Sequence, residues 1–111
     1  MSDDGYSKAL RLLGLAKRGG HAVSGRTAVE LAIKRDQCKL VIVAEDAADR
    51  TIRQMSHAAA AAGIPLLLMG DTSILGQMTG SAQRSVAAIT EEGLAAAIIN
   101  AVDIQNSGEK P

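Results

Sequence analysis

Polar and apolar positions along the chain switch between two periods. From Ser7 to about Arg18 the apolar residues recur at helical spacing. Leu10, Leu13 and Lys17 fall on one face, with Leu12, Leu15 and Ala16 on the adjoining one. Ser7 is placed to cap this helix, Lys17 and Arg18 suit its C-terminal dipole, and Gly19-Gly20 stop it. His21 to Ser24 is long enough only for an edge strand. A second helix opens at Gly25-Arg26 and ends near Arg35 or Asp36, with Val29, Ala32 and Ile33 inward and Leu31 outside that stripe. Lys39 to Ala44 is a continuous β-branched run, the signature of a strand covered on both faces.

The second half repeats the alternation. Asp49 is placed to cap a helix with Ile52, Met55, Ala59 and Ala62 inward, ended by Gly63 and Pro65. Leu66 to Met69 reads as a second buried strand. Asp71 or Thr72 starts a short helix carrying Ile74, Leu75 and Met78, closed by Gly80. Ser81 to Arg84 is a loop and Ser85 to Ile89 a further strand. Thr90 caps the last helix, with Glu91 and Glu92 in its first turn and Leu94, Ala97, Ile98 and Ala101 inward. The predicted order α-β-α-β-α-β-α-β-α implies an α/β fold with helices on both faces of one sheet. One domain is expected over residues 7–104, with flexible tails at 1–6 and 105–111.

Composition narrows the chemistry. Of 111 residues 47% are hydrophobic but only 1% aromatic, Tyr6 alone, so an aromatic base-stacking platform is excluded. One cysteine, Cys38, rules out an internal disulfide and a Cys-based zinc site, and reads as a small buried hydrophobe. The acidic start, Met1 to Asp4, lacks the order of a signal peptide, and no apolar run reaches membrane-spanning length. A cytoplasmic setting with no membrane contact is expected. Zero net charge hides an asymmetry. Lys8 to Lys39 holds eight basic and two acidic residues, a net of +6, while the remainder holds four basic and ten acidic. Such a chain can present a basic face to a polyanion.

Catalytic and phosphate-loop patterns are absent. Gly14 to Gly20 does not follow a strand, and His21 and His57 have no metal-ligand spacing. Glu45, Asp46 and Asp49 cluster beyond a strand's carboxyl end, where α/β sheets hold ligands. A receiver-type acidic pocket would also need a lysine after a later strand, and none is there. No enzyme, cofactor or metal is expected.

Four blocks carry a resemblance. They are Leu13 to Gly20 with Val23-Ser24-Gly25; Lys39 to Ala47; Gly63-Ile64-Pro65; and Leu75-Gly76 through Gly80 to Arg84 and Ile89. Together they resemble the YlxQ-like bacterial members of the kink-turn RNA-binding ribosomal protein family, the L-seven-Ae and L-thirty-e type. The likeness covers roughly Ser7 to Val102. It implies a three-layer α/β/α sandwich with a mixed four-stranded sheet, and an RNA site at one end of that sandwich.

By position, the resemblance assigns RNA contact to Gly25, Arg26, Thr27, Ala28 and Leu31, to Glu45 and Asp46, and to Ala82, Gln83 and Arg84. Lys17, Arg18 and Lys34 would add phosphate contacts. Known kink-turn binders carry Gly-x-Asn-Glu-x-x-Lys at the second helix, where this chain reads Gly25-Arg26-Thr27-Ala28-Val29-Glu30-Leu31. Thr27 and Ala28 lack the paired donors and acceptors that read guanine edges. The expected partner is structured RNA, ribosomal or kink-turn RNA included, in a ribosome-associated setting. The alternative is a protein-interaction module on the same fold, facing a ribosome-associated protein.

Overall fold

The run Leu40–Val43 is buried on both faces, as its unbroken apolar sequence requires, and the sheet grows outward from it. The computed structural model describes residues 5–108. In chain order these form α1 (Gly5–Arg18), β1 (Ala22–Ser24), α2 (Arg26–Lys34), β2 (Leu40–Val43), α3 (Asp49–Ala62), β3 (Leu66–Leu68), α4 (Thr72–Met78), β4 (Val86–Ile89) and α5 (Glu92–Gly108). The four strands lie in the order β1-β4-β2-β3. β2 and β3 are parallel, joined by the α3 crossover, while β4 is antiparallel to both its neighbours. The sheet is therefore mixed. α2 and α3 cover one face, and α1, α4 and α5 pack together on the other.

Leu13, Leu40, Ile42, Met55, Met69, Leu75, Ile89 and Ile98 are fully buried, so aliphatic and thioether side chains fill the space that aromatics usually take. The predicted element order holds throughout, but several local expectations do not. Leu66 to Met69 is not a buried strand. β3 is an edge strand, and Leu68 is 46% exposed because no element lies beyond it. In α1 the buried side is Ala9, Leu13 and Ala16, and Leu15 points outward. In α3 Met55 and Ala59 are buried, but Ala62 is exposed. In α5 the buried positions are Ala95, Ile98, Ala101 and Val102, with Leu94 and Ala97 half-buried.

Three predicted caps do not sit at their helix starts. Ser7 lies inside α1, which begins at Gly5, and Asp49 lies in the first turn of α3, whose cap position is Ala48. Thr90 instead completes the sheet's end, its N–H donating to the His21 carbonyl. The cap of α5 is Glu91, whose carboxylate accepts from Gly93 N–H (3.0 Å) and Leu94 N–H (2.7 Å). Of the expected tails, residues 1–4 and 109–111 lie outside the described residues. Gly5 and Tyr6 belong to α1, and α5 continues to Gly108 with no proline along its length.

The Leu94 and Gly93 amides hold the Glu91 carboxyl below the ordinary glutamate range. A depressed carboxyl pKa adds stability that is complete above the unfolded-state value, about 4.3, and is lost as pH falls through the folded value. Glu91→Ala should therefore lower Tm at neutral pH, and its deficit against the native chain should shrink in acid. A deficit that stays constant through the acid range would show that the carboxylate's charge is not involved.

Candidate nucleic-acid interface

Register places three loops together. β4 runs against both neighbours, with Ser24 opposite Ala87 and Val43 opposite Val86. The carboxyl ends of β1 and β2 therefore meet the amino end of β4. Gly25 N–H donates to the Val86 carbonyl (2.9 Å), and Ala44 N–H to the Ser85 carbonyl (2.8 Å). The parallel neighbour β3 joins the same end through Glu45 N–H and the Gly70 carbonyl (2.8 Å).

Gly25 is the residue from which α2 starts. Its φ of 91° lies in the region that favours glycine, and no side chain caps the helix. The helix's first amides thus face outward with the positive end of the dipole and without an acidic residue in the first turn. Arg84 lies across this terminus. Its Nε is 3.5 Å from the point a Cβ on Gly25 would occupy, an ordinary contact, so the backbone's positive φ and not space is what asks for glycine there. Nη1 donates to the Gln83 carbonyl (2.9 Å), while Nε is buried with no hydrogen-bond partner among the described residues. An unpaired buried donor of this kind is uncommon. Arg26 is exposed and paired with Glu30 at 3.1 Å. A helical pair this exposed is worth a few tenths of a kcal/mol, about 0.3–0.5, and is easily exchanged for a phosphate.

Thr72 ties the remaining segment in. Its N–H and Oγ1 donate to the two Asp46 carboxylate oxygens (2.8 and 3.2 Å), and its carbonyl accepts from Arg84 N–H (3.0 Å). Asp46 therefore fixes the loop rather than presenting a free carboxylate. Asp71 caps α4 through Ile74 N–H (2.8 Å). Glu45, Asp46, Gly70, Asp71 and Ile74 line an open cleft of about 550 Å³. Its acids form no group able to hold a metal ion among the described residues. Beside the cleft, the loop Ser81–Arg84 presses on α4 at Gly76. A Cβ there would stand 2.5 Å from the Ala82 carbonyl oxygen and 2.8 Å from Gln83 Cα. The paired Leu75-Gly76 sequence thus has a steric reason. Ala82 and Gln83 are exposed and Arg84 is half-buried.

Not every expected contact gathers here. Thr27 is exposed, Ala28 half-buried and Leu31 43% exposed, all on α2 beyond Gly25. Lys34 stands at the other end of α2, about 12 Å along the axis at 1.5 Å per residue. Lys17 and Arg18 end α1, which turns back at His21 beside Thr90, so they sit at the opposite end of β1 from Gly25. Sequence reading grouped them by charge, whereas the α1–β1 reversal separates them. It also missed Thr72, whose partner Asp46 lies 26 positions away, a distance no local pattern reports. Cys38 is buried, and burial pushes its thiol pKa up, in keeping with a small hydrophobe. Among the described residues no helix is long and apolar enough to cross a membrane.

Residues 7–99 match the Ribosomal protein L7Ae/L30e/S12e/Gadd45 family. The chain belongs to that family. RNA-binding protein YlxQ of Bacillus subtilis (strain 168) is 33% identical over 92 residues, which cover 83% of this chain and 92% of the relative. RNA-binding protein YlxQ of Enterococcus faecium is 28% identical over 95 residues, covering 86% and 91%. A solved structure of a Bacillus halodurans C protein of unknown function superposes with a TM-score of 0.82 at 29% identity, over 86% of this chain and 97% of that one. The Giardia lamblia 15.5kD RNA binding protein shares the fold, with a TM-score of 0.74 at 20% identity, over 96% and 92% of the two chains.

Because the 81–84 loop is seated on Gly76, Gly76→Ala should force it away. The expected cost is that of overpacking, about 1–3 kcal/mol, read by urea denaturation. An unchanged urea midpoint would mean that the loop yields freely and does not depend on this contact.

Proposed function

We propose that this protein is a non-enzymatic RNA-binding protein that takes structured RNA at the end of the sandwich where α2 begins. The observation that carries the reading is Arg84 laid over the uncapped start of α2. A phosphate oxygen at that point would accept from the guanidinium and from the helix amides together, with the dipole in its favour. Arg26 stands beside it for a second phosphate. Both sequence relatives above are RNA-binding proteins by name, and family membership supports the same partner.

The chemistry of α2 tunes this reading. Thr27 and Ala28 offer no bidentate donor–acceptor pair for a guanine edge, and Leu31 offers apolar surface. Recognition therefore rests on phosphate and backbone shape more than on base identity. The acidic cleft at Glu45 and Asp71 repels phosphate, so the backbone tracks along the Arg84 and Arg26 side, and the exposed Ala82-Gln83 edge is left for an unstacked base. Kink-turn and ribosomal RNA are the first ligands to test, and a ribosome-associated, cytoplasmic role follows from such a ligand.

Binding to a kink-turn RNA and to the same duplex with the kink deleted, each across a salt series, tests the reading. The kinked RNA should bind more tightly. Arg84→Gln and Arg26→Ala should each weaken binding and lower the salt slope by about one. Leu31→Lys should strengthen binding and raise the slope by about one, since it adds a cation within about two turns of Gly25. Equal, weak binding to both RNAs that is indifferent to Arg84 and Arg26 would reject the site.

A further inference from the structure

We propose that the outer face of α3 carries one stem of the RNA whose bend sits at the start of α2, through Arg50 and Arg53. The proposal rests on the RNA site argued above and extends it. The sheet brings the two helices together. Gly25, which opens α2, donates its N–H to the Val86 carbonyl (2.9 Å), and Ala44, five residues before α3, donates to the neighbouring Ser85 carbonyl (2.8 Å). α2 and α3 then cover the same face of the sheet in contact with each other. Both run away from the candidate site, so a stem that leaves the site over this face meets α3. Asp46 and Asp71 of the acidic cleft bind instead to the start of α4, on the opposite face.

Arg50, Arg53 and His57 stand at i, i+3 and i+7, a stripe about 10 Å long on the side of α3 away from buried Met55 and Ala59, and all three are exposed. Neither arginine makes an ion pair or a side-chain hydrogen bond among the described residues, in contrast to Arg26 with Glu30. Asp49 is the one acid of the helix and pairs with neither. Their placement works against the helix. A cation in the first turn opposes the dipole and one in the last turn suits it, yet Arg50 is in the first turn, Arg53 follows one turn on, and the last turn has no basic residue. Exposed, unpaired arginines at the end where they weaken the helix point to an anion outside the chain. The rest of the face decides which anion. Ser56, Ala60 and Ala61 are exposed and small, so a backbone can lie close along it. No large hydrophobic residue of α3 is exposed, which leaves a protein partner no anchor. No Phe, Tyr or Trp stands on it to stack a single-stranded base. A regular line of phosphates along a rigid helix face fits what remains.

The test uses the full chain and a kink-turn RNA in three forms, with both stems short and with one or the other stem extended, each across a salt series. Extending one of the two stems should tighten binding about tenfold at low salt. Arg50→Gln and Arg53→Gln should each lower the salt slope on that RNA by about one, and the double variant should erase the gain. On the short-stem RNA both variants should bind within about twofold of the native chain, as expected for separate contacts. Neither should lower Tm, because each removes a cation from the positive end of α3, so lost binding is not lost folding. No gain from either extension overturns the proposal. A gain that the double variant keeps also overturns it, and leaves the face to a protein partner or a second copy. Short-stem binding that ignores Arg84 and Arg26 rejects the RNA site itself and this proposal with it. Short-stem binding that needs those two, beside a stem gain indifferent to Arg50 and Arg53, rejects the α3 face alone.

Discussion

Everything at the candidate binding end depends on β4 lying antiparallel between β1 and β2. That one placement brings the end of β1, the end of β2 and the start of β4 to the same edge, from segments that are far apart in sequence. The strand is able to sit there because Val86 to Ile89 is apolar on both faces and small at Ala87 and Ala88, so helices pack above and below it. The loop leading into β4 is then fixed twice over, by its seat on Gly76 and by the Arg84–Thr72 hydrogen bond. Thr72 passes this order on to Asp46, and Arg84 passes it on to Gly25. The site is thus a property of the sheet's topology, with each surface residue held by a backbone contact behind it.

Much of this was legible in the sequence, for identifiable reasons. The β-branched run at Lys39 to Ala44 can be satisfied only in a central strand, and glycines close α3 and α4 where expected. Gly63 does so in a left-handed conformation. Strand direction was not legible from periodicity, because a two-residue alternation is the same read either way; the resemblance supplied it. β3 misled because its leucines are apolar on both faces, and composition does not reveal that the sheet stops there. Glu91 took the cap from Thr90 because the first turn begins one residue later, and a glutamate side chain reaches its own downstream amides. Of the candidate site, Gly25, Arg26, Arg84 and the loop before β4 came from motif position, and the structure unites them.

Charge was the least reliable guide to placement. The stretch of net +6 does not form one basic face. Arg26 stands at the start of α2, Lys34 and Lys39 lie toward the other end of the sheet, and Arg11 and Arg18 flank Leu15 on α1. Helix reversals scatter residues that are contiguous in sequence. The site proposed above is accordingly a small edge rather than a broad electrostatic platform, bounded on one side by the acids around the Glu45–Asp71 cleft. Such an edge favours a bent backbone that meets it locally over a straight duplex that needs a long track.

The most direct check of this account is a map of backbone amide shifts in the full chain as a kink-turn RNA is added. The largest changes are predicted at Gly25 to Ala28, at Ala44 and Glu45, and at Ala82 to Ser85, with Lys34 to Lys39 and Lys17 to His21 nearly still. Changes concentrated at Lys17 to His21 or Lys34 to Lys39, with Gly25 and Arg84 silent, would place the RNA at the wrong end of the sheet and contradict it.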